Sequence, residues 1–495
     1  MRNKIIELAK LATQVEPNHQ QKRLWQRQVN DYAQQFLETE EERPCYVETE
    51  DKGKGLLEYP IQEDPRSMED LLEILKVNVD TPGLDPTSGG HMAYIPGGGM
   101  YPSALGDYLA AVTNRYSGVF YSNPGAIRME NMLVRWLCDI MGFPKTALGN
   151  LTSGGSIANL IAIVTARDRQ QIRSKAVEKA VIYLTHQAHH SVQKAIRIAG
   201  LDDAQLSYID TDERFRLDIH HLQAQITADK KAGLRPFLVI AAAGTTDVGA
   251  IDPLNEVAAI AEKENLWFHV DAAYGGAFIL TEEIKPAYQG IERADSITID
   301  PHKGLFIPYG SGAVLIKDVE ALKKSHYYFA NYMQDALMDD AEPSPADLSP
   351  ELSKHFRGLR MWLPLQLYGV APFRAALSEK IWLCRYFYEE VQKIGFEVGP
   401  YPELSVTIYR YVPQTGDAND FNAALVRAMR ADGSVYLTST TIEGIHWLRI
   451  AILHFRTHLR EIDLCLRLLK EKVAILATDL KESRHLQHKG SSLNR

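Results

Sequence analysis

Residues 266–317 decide the fold: LWFHVDAAYGGAFIL (266–280) leads on to SITIDPHKGLFIPYGSGAVLIK (296–317). Two short apolar runs stand in it, one ending in the acid Asp271 and the other running into Asp300-Pro301-His302-Lys303-Gly304. Runs that are apolar almost throughout read as strands buried on both faces. An acid and an amine at the ends of two such strands, with small residues around both, match the needs of a carbonyl cofactor with a basic ring nitrogen. The amine can form an imine and the acid can keep the nitrogen protonated.

Working outward, further short apolar runs occur at 181–185 (VIYLT), 237–244 (FLVIAAAG) and 313–317 (AVLIK), with helical periodicity at 191–199, 216–231 and 254–264. This alternation predicts an α/β domain with a largely parallel sheet covered on both faces, in which ligands sit at the carboxyl ends of the strands. Upstream, LTSGGSIANLIAIVTARDR (151–169) places Ser153-Gly154-Gly155-Ser156 at the start of a helix over 156–170. Glycines let the backbone close on an anion, and the first N–H groups of a helix supply donors. The segment lacks the Gly-Lys-Ser/Thr ending of a nucleotide-binding loop.

The chain opens with one or two amphipathic helices over 3–38, then a helix over 67–77 with Ser67 as its cap. The run TPGLDPTSGG (81–90) is punctuation before helices near 102–114 and 124–141. Tyr94, Tyr101, Tyr116, Phe120 and Tyr121 crowd the glycine- and proline-rich loops here, either as core or as the lining of a small-ligand pocket. Residues 325–355 are polar, acidic and too long for an ordinary connection, which reads as a lid or a disordered segment. Helices with a kink at Pro364 follow, then strands near 404–412 and 446–452 with helices near 417–431 and 458–477, and a frayed tail from 481. The expected divisions are an N-terminal helical arm (1–90), a large cofactor domain (91–370) and a small C-terminal α/β domain (371–495).

Composition narrows the class. At 495 residues the chain exceeds one hydrophobic core, and 54 basic against 63 acidic residues, spread along it, argue against a nucleic-acid or anionic-membrane surface. Cys45, Cys138, Cys384 and Cys465 are far apart with no CxxC pair, which suits a reducing compartment. No apolar run reaches membrane-spanning length, so a cytoplasmic enzyme is expected. Three histidines in HQAHHS (186–191) could hold a metal, but no carboxylate or cysteine completes a ligand set at a sensible spacing, and no metal is expected.

The SGGS loop, QAHHSV (187–192), HVDAAYGG (269–276) and DPHKG (300–304), in that order, resemble the group II pyridoxal-phosphate-dependent amino acid decarboxylases. MAYIP (92–96) and FRGLRMW (356–362) bring the chain nearest to the aromatic-L-amino-acid decarboxylases. The resemblance runs from about residue 88 to 370 and more loosely to 477. It implies a fold-type I pyridoxal-phosphate enzyme, a homodimer with active sites at the subunit interface, that decarboxylates an L-amino acid. By it, Lys303 carries the cofactor as a Schiff base, Asp271 pairs with the pyridine nitrogen and His189 stacks on the ring. Ala273 packs beneath the ring, Thr246 lies beside it, and Gly155, Ser156 and His302 surround the phosphate, with Asp300 orienting His302. Tyr94 and Pro96, with His189, are the expected substrate contacts, and their apolar, roomy setting leans toward aromatic or other apolar side chains.

Two departures stand out. Residue 304 is glycine where these enzymes carry a bulky aromatic, so the pocket there is roomier or filled by something else. Their mobile loop also holds a tyrosine that protonates the α-carbon after carbon dioxide leaves, yet 333–355 contains none. Tyr332 is the leading candidate for that acid, with His355, Tyr327 and Tyr328 behind it. Loss of the acid favours an aldehyde product, so a decarboxylating aldehyde synthase, or another lyase or transaminase on the same fold, is the alternative.

Overall fold

The computed structural model describes residues 1–328 and 341–492, with 479–492 described by backbone only. Its centre is a seven-stranded sheet: β1 Leu148–Thr152, β2 Ala180–Thr185, β3 Gln205–Ile209, β4 Arg235–Ala242, β5 Trp267–Asp271, β6 Ser296–Ile299 and β7 Gly312–Ile316. The spatial order is β1-β7-β6-β5-β4-β2-β3. Pairings among β2 to β6 are parallel, and β7 runs antiparallel to both β6 and β1. Six strands therefore point one way, and their carboxyl ends share an edge. β1, β2, β6 and β7 are buried throughout, as strands covered by helices on both faces must be.

The expected strands at 181–185, 237–244, 266–271, 296–300 and 313–317 match β2, β4, β5, β6 and β7 to within two residues at each end. β1 and β3 were not anticipated. Leu148–Thr152 reads as the approach to a helix because Gly149 and Asn150 interrupt its apolar pattern. Gly149 is there because a Cβ would run into the Val314 carbonyl of β7.

A second, four-stranded antiparallel sheet contains Phe396–Val398, Val406–Tyr411, Ile445–Ala451 and Thr438–Ile442 in that order, with its own core of Phe387, Tyr409, Leu425, Leu448 and Leu469. Its short first strand and Thr438–Ile442 were missed in the sequence. The frayed tail expected from 481 is instead the end of a helix spanning Leu459–Ser492. No described helix is long and apolar enough to cross a membrane.

The chain begins with helices Arg2–Ala12 and His19–Glu38, neither of which has a buried residue. Ile5, Leu8 and Leu11 are all more than half exposed, an apolar stripe with nothing packed on it. Ser67 does cap the helix Met68–Leu75, accepting from the Asp70 amide.

The segment 341–357 is tied down along its length. Glu342 accepts from Arg135 Nη2 (2.8 Å) and Asn131 Nδ2 (3.0 Å), and the Pro345 carbonyl accepts from Asn150 Nδ2 (3.3 Å). Lys354, with no exposed side-chain surface, meets Glu130 Oε2 at 2.8 Å and donates to Asn150 Oδ1 (2.8 Å) and the Leu151 carbonyl (3.1 Å). The following helix, Gly358–Tyr368, runs through Pro364.

Candidate functional site

The common edge of the six strands carries a cavity of about 370 Å³. Its wall is built mainly from the connections that leave those strands: Gly154–Ser156 after β1, Gln187–Val192 after β2, Gly244–Thr246 after β4, Asp271, Ala273 and Tyr274 at the end of β5, and Asp300, His302 and Lys303 after β6; Tyr94 and Ile95 also line it. One fold feature therefore gathers sites scattered over more than two hundred residues.

Lys303 lies on the single turn of helix Pro301–Gly304. Its Nζ is 3.0 Å from Asp300 Oδ2, and its side chain is 20% exposed, so the amine is held at the wall yet reaches the cavity. His302 Nδ1 lies 2.6 Å from the Ser311 carbonyl, which can only accept, so Nδ1 carries the proton. Its Nε2 is 3.8 Å from Asp300 Oδ2, and burial pulls its pKa down despite that carboxylate. The expectation that Asp300 orients His302 is thus corrected: the Ser311 carbonyl fixes the ring, and Asp300 meets the lysine.

Asp271 is held through both oxygens. Oδ1 accepts from the Ala273 amide (3.1 Å) and Oδ2 from Asn159 Nδ2 (3.0 Å). His189 precedes the helix His190–Ile198 and caps it; Nδ1 accepts from the Ser191 amide (3.3 Å) and lies 2.7 Å from Ser191 Oγ. Burial, outweighing the attraction of Asp271, lowers its pKa and favours a neutral ring. His190, given no part in the sequence reading, also lines the cavity, its ring 4.0 Å from that of His189. His186 stacks instead on Tyr208.

Around these groups the backbone has little slack. A Cβ on Gly155 would lie 3.0 Å from Asp300 Oδ2 and 3.2 Å from Ala273 Cβ. The helix Gly155–Arg169 starts at this point, and its first N–H groups, on Gly155 and Ser156, have no partner within the helix. Thr246 is fixed from the second sheet: Arg449, only 4% exposed, donates from Nε to the carbonyls of Thr246 and Asp247, both at 3.1 Å. Arg449 carries no signal in the sequence that would link it to a site two hundred residues away.

The remaining expected residues fall as follows. Tyr94 lines the cavity, but Pro96 is buried behind it and does not. Of the loop aromatics only Tyr94 reaches this wall among the described residues. Tyr332 lies outside the described residues. His355 is bonded to Asp107 (Nε2 to Oδ1, 3.3 Å) and is not among the described lining. The space at residue 304 is filled, since a Cβ there would collide with Ala277 Cβ, the second of the two alternatives expected there.

The site has the fittings of a phosphorylated aldehyde cofactor. Open amides at a helix start can receive an anion, a half-buried amine and a doubly held carboxylate share one wall, and Gln187 Oε1 and Asp300 Oδ1 are buried there without a partner among the described residues. Comparison with known proteins agrees. Residues 51–411 match the pyridoxal-dependent decarboxylase conserved domain. The chain is 35% identical to an aromatic-L-amino-acid decarboxylase of Bacillus atrophaeus, over 84% of this chain and 88% of that one. It is 31% identical to a phenylacetaldehyde synthase of Petunia hybrida, over 79% and 82% respectively. Its fold superposes on a crystal structure of Oryza sativa TDC with PLP and tryptamine at a TM-score of 0.87 and 25% identity, covering 93% of this chain and 99% of that one. The chain belongs to the pyridoxal-dependent decarboxylase family. It is a carboxy-lyase of fold type I, and its cofactor is pyridoxal phosphate.

Proposed function

We propose that the chain removes the α-carboxylate of an L-amino acid with an aromatic or other apolar side chain, giving the amine and carbon dioxide. Pyridoxal phosphate, when bound, supplies an aldehyde for the substrate amine and a protonated ring that accepts the electrons of the broken bond. Lys303 is the amine that would hold the aldehyde, and Asp271 the carboxylate that would keep a proton on the ring nitrogen. Neutral His189 would lie against the ring, Ala273 and Thr246 would border it, and Gly155, Ser156 and His302 would receive the phosphate. Tyr94 borders the substrate side chain. Tyr332 stays the proposed proton donor to the α-carbon.

The observation that carries the substrate class is the cavity wall. Tyr94, Ile95, Ala188 and Tyr274 line it, and no arginine does so among the described residues. The buried Arg449 nearby is committed to backbone carbonyls. A second carboxylate on the substrate would find no guanidinium partner there, which favours apolar side chains over acidic ones. The similarity to the Bacillus atrophaeus enzyme points the same way.

A second reading, oxidative release of an aldehyde, rests on the tyrosine-free stretch 333–355 and on the similarity to the Petunia hybrida aldehyde synthase. It consumes oxygen and water and yields carbon dioxide, ammonia and peroxide beside the aldehyde. A panel of L-amino acids scored for carbon dioxide, amine, aldehyde and peroxide decides between the two. Amine with stoichiometric carbon dioxide and no peroxide supports the first; aldehyde with peroxide overturns it. The same proposal includes a cytoplasmic homodimer, whose second copy would cover the exposed apolar residues of the first helix, and the division into arm (1–90), cofactor domain (91–370) and small domain (371–495).

A further inference from the structure

Asp271 stands at the end of a chain of buried side chains that the reaction chemistry does not require by itself. Trp267, His269 and Asp271 alternate along β5 and so project from one face of the sheet, toward the helix Gly155–Arg169 that carries Asn159. Ser296 sits opposite His269 in the register between β5 and β6. Four hydrogen bonds join them. Asn159 Nδ2 is 3.0 Å from Asp271 Oδ2, and Asn159 Oδ1 is 3.0 Å from His269 Nε2. His269 Nδ1 is 2.8 Å from Ser296 Oγ, and Trp267 Nε1 is 2.8 Å from the same oxygen. Asn159, His269 and Ser296 are wholly buried and Trp267 nearly so.

Elementary donor and acceptor rules give this chain one direction. A carboxylate only accepts, so Asn159 must turn its NH₂ to Asp271 and its oxygen to His269. That oxygen only accepts, so His269 carries its proton on Nε2. Burial pushes the His269 pKa down to about 4, leaving the ring neutral and Nδ1 an acceptor. Ser296 then donates its hydroxyl to Nδ1 and takes the indole N–H of Trp267, which can do nothing but donate. Every group is satisfied in this arrangement. The same Asn159 NH₂ lies 3.3 Å from Ser191 Oγ, the hydroxyl beside His189 Nδ1, so one amide touches both sides of the site.

We propose that Asn159 and His269 are positioning residues for the reaction: they deliver a directed N–H to Asp271 and lock the carboxylate in the orientation that meets the cofactor ring nitrogen, with Ser296 and Trp267 closing the chain behind the histidine. This rests on the reading of Asp271 as the ring-nitrogen partner.

The test has two arms whose failures differ. In the first, protein labelled with ¹⁵N in histidine is followed by NMR from pH 5 to 8, with and without pyridoxal phosphate, and the resonance of His269 is assigned by its absence in His269→Gln. The relay predicts a neutral ring with the proton on Nε2 throughout, retained in Trp267→Phe, and a mixture of tautomers in Asn159→Ala, which removes the oxygen that takes the Nε2 proton. A proton on Nδ1 in the parent protein, or a midpoint near 6.5, overturns the relay whatever Asp271 does. In the second arm, Asn159→Ala, Trp267→Phe and Asp271→Ala are compared as holoenzymes by visible absorbance against pH and by kcat and KM. Asn159→Ala should lower kcat about ten- to a hundredfold with KM nearly unchanged and shift the pH profile of the cofactor band, as loss of a hydrogen bond to a charged group does. Trp267→Phe should move both in the same direction by less. Unshifted bands in both, with normal turnover, overturn the positioning role. An unshifted band and normal turnover in Asp271→Ala would instead overturn the reading of Asp271 while leaving the tautomer result standing.

Discussion

The floor of the cavity and its mouth are built on opposite plans. On the floor, Asp271, His189 and Lys303 are each held by contacts of 2.7 to 3.1 Å to neighbours in rigid elements. At the mouth, Tyr94 and Ile95 are successive non-glycine residues with φ of 54° and 58°, in the left-handed region that side chains disfavour. Tyr94 is 58% exposed, and its hydroxyl has one long contact, 3.4 Å to Tyr436. What holds the strained pair is the backbone before it. The Met92 amide donates to the Tyr436 carbonyl and the Ala451 amide to the Met92 carbonyl, which stitches this segment to the second sheet. Under the proposed function the floor would set which bond breaks, while the mouth, hung between two cores, is where substrate choice can vary at small cost to the fold.

The largest expected effect lies on the floor. Lys303→Ala should abolish turnover, by at least about a thousandfold, because no other amine lines the described cavity wall. It should also remove the visible absorbance that borohydride fixes in the parent protein. Residual borohydride-fixed colour would mean that another lysine holds the cofactor and that the floor is not the reacting surface.

The contrast also explains what could be read from sequence. Five strands of the sheet were legible because burial on both faces leaves an unmistakable apolar run, and the acid and lysine stood out by ending two of them. The fittings behind them did not. Trp267 and His269 looked like part of an apolar run, although hydrogen-bonding side chains at every second position of a buried strand are a signal that one face meets a polar partner. Arg449 and Tyr436 reach the site only through the packing of the second sheet, a long-range fact that no local pattern encodes. Gly304 left two readings open, because a missing side chain can mean space or a neighbour already in it, and only the packing shows that Ala277 fills it.

The segment 341–357 is built like the floor, and it sharpens the comparison. Lys354 and Glu130 form an ion pair with side chains 0% and 2% exposed, and Glu130 Oε1 also accepts from the Arg357 and Gly358 amides. Lys354→Met should leave a buried carboxylate without its cation and cost about 3 to 5 kcal/mol in urea denaturation. A cost below about 1 kcal/mol would show that the segment 341–357 is held by its other contacts, and that the buried ion adds nothing to them.

Acid should find the join between the two regions. His91 is 1% exposed, edge-on to Tyr94 and Tyr436 and close to Asp85 and His454. Burial, opposed by Asp85, lowers its pKa to about 4, below the 6.5 of an exposed histidine. The unfolded chain therefore takes up the proton first, so the stabilisation is complete above pH 6.5 and is lost as pH falls toward 4, to the extent of about 3 kcal/mol. His91→Phe should remove one proton from that slope and hold or raise stability at pH 7, since an aromatic ring without polar atoms suits the site. An unchanged slope in denaturation midpoints between pH 7 and 5 would mean that His91 reaches water or finds a partner on folding.

The smallest effect is the one that defines the mouth. Tyr94→Phe removes a single 3.4 Å hydroxyl contact from a ring that is more than half exposed and leaves the left-handed backbone in place. It should change stability by less than about 0.5 kcal/mol, as surface substitutions do, and leave kcat within about twofold, with any change confined to KM for side chains that carry a polar group. A fall in kcat comparable with that of Asn159→Ala would break the division between floor and mouth. It would place the Tyr94 hydroxyl among the groups that act on the reacting atoms, and the pair with Tyr436 would then be a device for orienting that hydroxyl rather than a loose hinge at the entrance.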